Sequence, residues 1–205
     1  MNAPHFSTKQ RILDSAESLF ARHGFAGASL RQVTAAAKVN LAAVNYHFGS
    51  KENLVNEVFR RRLDVLNEER LAALAEAMQR PNCRLEDVLA AFVRPALALS
   101  AANEDGAGFV RVLARAYAEH NENLRKFLHD NYGHVLKQFA VAFSAVLPHL
   151  DKQELYWRLD IVSGALTYAM ADFGVIKRRP GMSEQQHRDL AAEHLIQFAA
   201  AGLRA

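Results

Sequence analysis

Val44-Asn45-Tyr46-His47-Phe48-Gly49-Ser50-Lys51-Glu52-Asn53-Leu54 closes one short helix and opens a long one. Gly49 is the stop, because glycine takes the left-handed backbone that ends a helix without a Cβ penalty. Ser50 opens the next helix. Asn53, three residues on, only approximates a capping box, while Glu52 suits the positive end of the helix dipole. Reading backward, Asn40 caps a short helix over residues 41–47, and Ser29 caps another that runs through Ala37. Ahead of both, Ser7 caps residues 8–23, where Ile12, Leu13, Ala16, Leu19 and Phe20 form one apolar stripe and Gly24 ends the helix.

Three short helices, a tight turn and a long helix make the arrangement of a helix-turn-helix that enters the DNA major groove. Within it Phe20, Val33, Val44 and Phe48 are expected in the core. Residues 41–47 then offer Leu41, Ala42, Ala43, Asn45 and Tyr46 on the other face. Small residues let a helix approach base edges, an alanine methyl packs on a thymine methyl, and Asn45 can pair with adenine N6 and N7. Tyr46 and His47 can donate to phosphates. Ser29, Arg31, Asn40 and Lys51 stand at helix starts, where backbone contacts are made. The bland alternatives are a partly core-facing Tyr46, a helix-end His47 and a solvated Arg31.

Residues 8–55 resemble the N-terminal domain of the tetracycline-repressor family. The matching stretches are Arg11-Ile12-Leu13-Asp14-Ser15-Ala16, Leu19-Phe20-Ala21-Arg22-His23-Gly24-Phe25, Ser29-Leu30-Arg31-Gln32-Val33 and the run from Val44 to Leu54. The resemblance implies an all-α protein in two parts: a helix-turn-helix DNA-binding domain over residues 1–50, and a helical ligand-binding and dimerisation domain over residues 51–205, connected by the helix 51–79. It also implies a transcriptional regulator that is not an enzyme. Three positions depart from the family pattern. Lys38 stands where the turn usually has glycine, Leu41 where many relatives have lysine, and Asn45 where they have tyrosine. A left-handed Lys38 would cost roughly 1 kcal/mol relative to glycine, unless the turn is shaped differently.

Composition bounds the rest. Half of the 205 residues are hydrophobic, and the net charge is +3. Residues 1–60 hold seven Lys/Arg against four Asp/Glu, and the remainder balances, so the excess positive charge sits where a polyanion would bind. No apolar run reaches the roughly 18 residues that span a bilayer, residues 1–6 lack a signal-peptide pattern, and Cys83 is the single cysteine. These features predict a cytoplasmic protein with no membrane partner, and no cofactor or metal is expected. The nine histidines form no HExxH pair, and neither GxSxG nor a P-loop occurs.

Beyond residue 79, helical patterns cover residues 85–101, 108–120, 124–147, 152–175 and 183–202, with a kink or break expected at Pro95. The last two helices are the candidates for pairing two subunits, through Leu155, Leu159, Val162, Leu166, Leu195, Phe198 and Gly202; intramolecular core would show the same stripes. Candidate walls of an effector pocket are Phe92, Phe109, Leu113, Tyr117, Phe139, Phe143 and Tyr168. Arg111 and Arg115, four apart, could neutralise a ligand carboxylate or simply be solvated. A narrower resemblance, to fatty-acid-responsive regulators of pseudomonads, rests on the run from Val39 to Lys51, on Phe109-Val110-Arg111-Val112-Leu113, on Leu124-Arg125-Lys126-Phe127-Leu128 and on Glu154-Leu155-Tyr156-Trp157-Arg158. The expected protein is thus a homodimeric repressor on a pseudo-palindromic DNA operator, released by a small hydrophobic effector, with a long-chain acyl group as the candidate. An activator of the same family, or a helical carrier or enzyme, are the alternatives.

Overall fold

The computed structural model describes residues 7–101, 104–119, 121–171 and 176–205, and every regular element among them is helical. In chain order these are α1 (Thr8–Gly27), α2 (Leu30–Ala37), α3 (Leu41–Phe48), α4 (Lys51–Met78), α5 (Leu85–Ala101), α6 (Glu104–Ala118), α7 (Glu122–Val146), α8 (Lys152–Ala171) and α9 (Glu184–Arg204). Local chemistry explains their starts. Ser7, Ser29 and Ser183 each accept from the amide three residues on, while Gln10, Gln32 and Gln186 return the bond, so three full capping boxes hold α1, α2 and α9. Asn40 Oδ1 accepts from the Ala43 amide at 2.9 Å and starts α3.

The described residues fall into two compact units, Met1–Asp64 with Gly108–Asp130 and Val65–Ala107 with Asn131–Ala205. The boundary expected at residue 50 therefore lies inside the first unit, which also takes in the start of α4 and a stretch of α6 and α7. That unit is centred on a run of aromatic rings. Phe20 and Phe25 stand 5.5 Å apart, Phe25 and Phe59 6.2 Å, and Phe59 and Phe109 5.5 Å, in the tilted and edge-on arrangements that ring quadrupoles favour. Ile12, Ala16, Val33, Val44, Leu54 and Val58 close around them and are fully buried. Phe109, expected in an effector pocket, is thus a core residue of the first unit.

One carboxylate is buried in the same unit. Glu17 of α1 pairs with Arg61 and with Arg62 Nη2 at 3.1 Å, both on α4, and Asp14 adds a second partner to Arg61. Burial works against the charge of the Arg61 guanidinium, but the hydrogen bonds it donates to Glu17 and Asp14, with their charges, more than offset it, and its pKa is raised above the ordinary value.

In the second unit α5 packs on α8 and α9, which also pack on each other. Leu155, Val162 and Leu166 are buried in this core, with Met170 beyond them. This corrects the expectation that they face a second subunit: the apolar stripe of α8 is used inside its own chain. Arg158 fastens the end of α9 by donating to the Gly202 and Leu203 carbonyls at 2.9 and 3.2 Å, and Arg204 pairs with Glu86 at 2.7 Å. Pro95 does not break α5, which runs through it. Three residues before it, the Phe92 carbonyl takes a hydrogen bond from Arg70 Nε at 3.0 Å, and the Arg70 guanidinium lies 4.1 Å from the Phe92 ring centroid.

Removing the buried carboxylate should take a shared acceptor from two partly buried guanidinium groups. Glu17→Ala is expected to lower unfolding stability by about 3 kcal/mol, read from the urea midpoint at unchanged slope.

Candidate nucleic-acid interface

The turn between α2 and α3 decides how α3 is presented. Lys38 takes the left-handed conformation, φ 54° and ψ 50°, and is the residue with positive φ among the described non-glycines. Its amide donates to Ala35 O at 3.3 Å and the Val39 amide to Thr34 O at 3.0 Å, so the last carbonyls of α2 are satisfied by a tight cap. The strain weighed from sequence is therefore carried by the lysine.

From that turn α3 divides into two faces. Val44 is fully buried and Phe48 nearly so, four residues apart on the inner side. Leu41, Ala42, Asn45 and Tyr46 are exposed, Tyr46 at 86% of its surface, and Ala43 is half-buried at the edge. Tyr46 is thus not core-facing. His47 is half-buried, its ring 5.1 Å from that of Tyr46 and 6.1 Å from that of Phe48. Around this face stand exposed Ser29, Arg31, Lys38 and Asn40, with half-buried Lys51 at the start of α4. Two of these are already engaged. Ser29 Oγ donates to Gln32 Oε1 at 2.9 Å and accepts from its amide, and Asn40 is occupied as the cap of α3.

Sequence reasoning located these residues singly and missed a feature of the whole stretch. Residues 18–51 contain no Asp or Glu, but hold Arg22, Arg31, Lys38 and Lys51. The nearest acid beyond, Glu52, has its pKa lowered by a hydrogen bond to its own backbone amide and next by the Ser50 hydroxyl, so it is tied to the helix start. A stretch whose own charged side chains are all basic suits a phosphate backbone, while the uncharged centre of α3 can lie against base edges.

The residues expected to bind an effector divide differently. Phe92 and Phe139 meet edge-on at 5.2 Å, with Phe143 6.3 Å further on, and all three are buried in the second unit. Tyr168, in the same unit, is exposed. Arg111, Leu113 and Arg115 belong with Phe109 to the first unit. There Leu113 is half-buried, Arg111 is exposed, and exposed Arg115 donates through Nη2 to Arg22 O at 3.4 Å. The Tyr117 side chain lies outside the described residues.

Comparison with known proteins fits this geometry. Residues 12–58 match the model of bacterial regulatory proteins of the tetR family, and residues 90–202 that of the tetracyclin repressor-like C-terminal domain. The HTH-type transcriptional regulator YttP of Bacillus subtilis is 42% identical over 57 residues, covering 26% of this chain and 28% of that protein. The HTH-type transcriptional repressor AcnR of Corynebacterium glutamicum is 34% identical over 76 residues, 35% of this chain and 40% of its own length. The chain thus spans well under half the length of these curated relatives. A TetR-family transcriptional regulator of Bordetella parapertussis shares the fold over 95% of both chains, with a TM-score of 0.71 at 17% identity. These families and relatives are transcriptional regulators, not enzymes, and no described helix is long and apolar enough to cross a membrane. With one model covering its N-terminal helices and the other more than half its length, the chain belongs to the TetR family of bacterial regulators.

Proposed function

We propose that this protein is a repressor that binds a pseudo-palindromic operator as a homodimer and leaves it when a hydrophobic effector binds. The observation that carries the reading is the outward face of α3, where Leu41, Ala42, Asn45 and Tyr46 stand exposed inside a stretch free of acidic residues. In this reading Arg31, Lys51, Tyr46 and His47 hold phosphates. Asn45 reads a base through its amide, and Leu41, Ala42 and Ala43 make close apolar contacts with base edges. Ser29 and Asn40 act through the helix starts that they cap, where free amides point outward.

Pairing would use the outer sides of α8 and α9. Trp157, Ile161, Gly164 and Tyr168 follow one another at helical spacing, with Trp157 63% and Ile161 65% exposed. On α9, half-buried Leu195 leads to Phe198, 72% exposed, and Gly202. Apart from the local backbone of its own helix, nothing described lies within 4 Å of a Cβ placed on Gly164 or Gly202, so a second helix could come close at both. A large aromatic row beside glycines is the composition of a helical subunit interface. Leu159, half-buried, would sit at its edge.

For the effector, the resemblance to fatty-acid-responsive regulators supports a long-chain acyl group. The apolar helices of the second unit are the place for such a chain. Release requires that the ligand bind the off-DNA conformation better than the operator-bound one.

Three measurements test this reading. On a duplex selected by the wild-type protein from a random pool, Tyr46→Ala should weaken binding to selected and scrambled DNA alike. Asn45→Ala should flatten the preference at one base pair by ~1–3 kcal/mol, and equal losses on every duplex variant would rule it out as a reader. The double variant Trp157→Asp, Phe198→Asp should sediment as a monomer with its helical circular dichroism intact; a dimer at micromolar concentration would refute the interface. Palmitate or palmitoyl-CoA should raise the melting temperature by ~4 °C and release the selected duplex, and indifference to the whole acyl series would overturn the acyl assignment.

A further inference from the structure

Gly24 breaks α1, with φ 73° and ψ 173° inside an otherwise helical run. Such a break strips partners from two sets of backbone groups, the last carbonyls of the first piece and the first amides of the second. The end of α6 meets both. The Glu119 carboxylate, one residue past α6, accepts from the Phe25 amide at 3.0 and 3.2 Å and from the Ala26 amide at 3.3 Å. Arg115, four residues earlier and so on the same side of α6, donates to the Arg22 carbonyl at 3.4 Å. A carboxylate therefore accepts from the amides that follow the break and a guanidinium donates to a carbonyl that precedes it, and such charge-assisted bonds are the stronger kind. A Cβ at residue 24 would stand 2.1 Å from Glu119 Oε1 and push the carboxylate aside, and the φ of 73° is itself one that favours glycine.

The location gives the clamp its consequence. Gly27 and Ala28 alone separate its last amide from Ser29, the cap of α2, and α2 packs on α1 and α3. We propose that Glu119 and Arg115 are positioning residues for DNA binding. They fix the direction in which the chain leaves the Gly24 break, and so the placement of α2 and of the reading face of α3. Neither touches DNA in this proposal, which rests on the DNA-binding reading above. It gives Arg115 a role in the head instead of at an effector carboxylate.

The test compares full-length wild type with Glu119→Ala and Glu119→Gln. Hydrogen exchange followed by mass spectrometry should show residues 25–37 of Glu119→Ala exchanging about tenfold faster, with α8 and α9 unchanged, since the lost bonds involve a charged acceptor. Its affinity for the selected duplex should fall about tenfold while scrambled-duplex binding stays the same, and Glu119→Gln, which keeps one acceptor oxygen, should recover part of both. Exchange over residues 25–37 within about twofold of wild type would overturn the proposal, as would faster exchange with undiminished preference for the selected duplex. Should Glu119→Ala fail to fold, Glu119→Gln and Arg115→Met provide the same two readouts. A wild-type protein that selects no duplex sinks the DNA-binding reading, and the exchange comparison still decides whether the clamp holds α2.

Discussion

A buried carboxylate tolerates few arrangements, and Glu17 constrains the first unit for that reason. Cut off from water, it needs cations, and both that it has are consecutive residues of α4, Arg61 and Arg62. Successive residues of a helix point about 100° apart, so a narrow range of rotations of α4 lets both reach one carboxylate. That rotation turns Leu54, Val58 and Phe59 into the core. It also brings Glu57, which pairs within α4 with Arg60 at 2.9 Å, to Lys9 of α1 at 3.1 Å, and sets the Arg60 guanidinium 5.1 Å from the Phe127 ring centroid. Buried ion pairs add little net stability over an apolar filling of the same shape, because desolvation cancels most of the attraction. What they add here is register between α1 and α4.

The same distinction between local and long-range chemistry separates what could be read in the sequence from what could not. Ser7, Ser29, Asn40 and Gly49 act within a few residues of themselves, so the starts of α1 to α3 and the stop of α3 were legible from single side chains. Gly24 was legible as a stop, yet the helix resumes after it, because the partner that satisfies the new amides is Glu119, more than ninety residues away. Nothing near Gly24 announces that carboxylate. The turn at Lys38 was half legible: the requirement for positive φ could be stated, and the structure decides that the lysine meets it.

On α8 periodicity marked a true apolar stripe and misled about its partner. Leu155, Val162 and Leu166 recur as a helix face should, and α5 and α9 cover them within the chain. The outward row of Trp157, Ile161 and Tyr168 recurs just as well. Two apolar rows on one helix cannot be ranked by spacing, since burial depends on neighbours that lie far off in sequence. The aromatics of the supposed pocket show the same limit. Phe92, Phe139 and Phe143 do gather, while Phe109 goes to Phe59 in the other unit, although all four read alike along the chain.

The reading face has its own balance of costs. A net charge of +3 over 205 residues is a weak electrostatic signature, but residues 18–51 dispense with acids altogether, so the local field is stronger than the total suggests. Against that background Lys38 becomes intelligible. Glycine would fill the left-handed turn at about 1 kcal/mol lower backbone cost but would bring no charge. An exposed lysine one turn before α3 adds a cation beside a helix whose own outward side chains, Leu41 to Tyr46, carry none. With base contacts entrusted to uncharged groups, affinity in the proposed complex must come from the rim, and counterion release makes each added phosphate contact count in low salt. The strain at Lys38 is then a local cost set against binding, and it would be visible as a salt dependence steeper than that of a glycine-bearing turn.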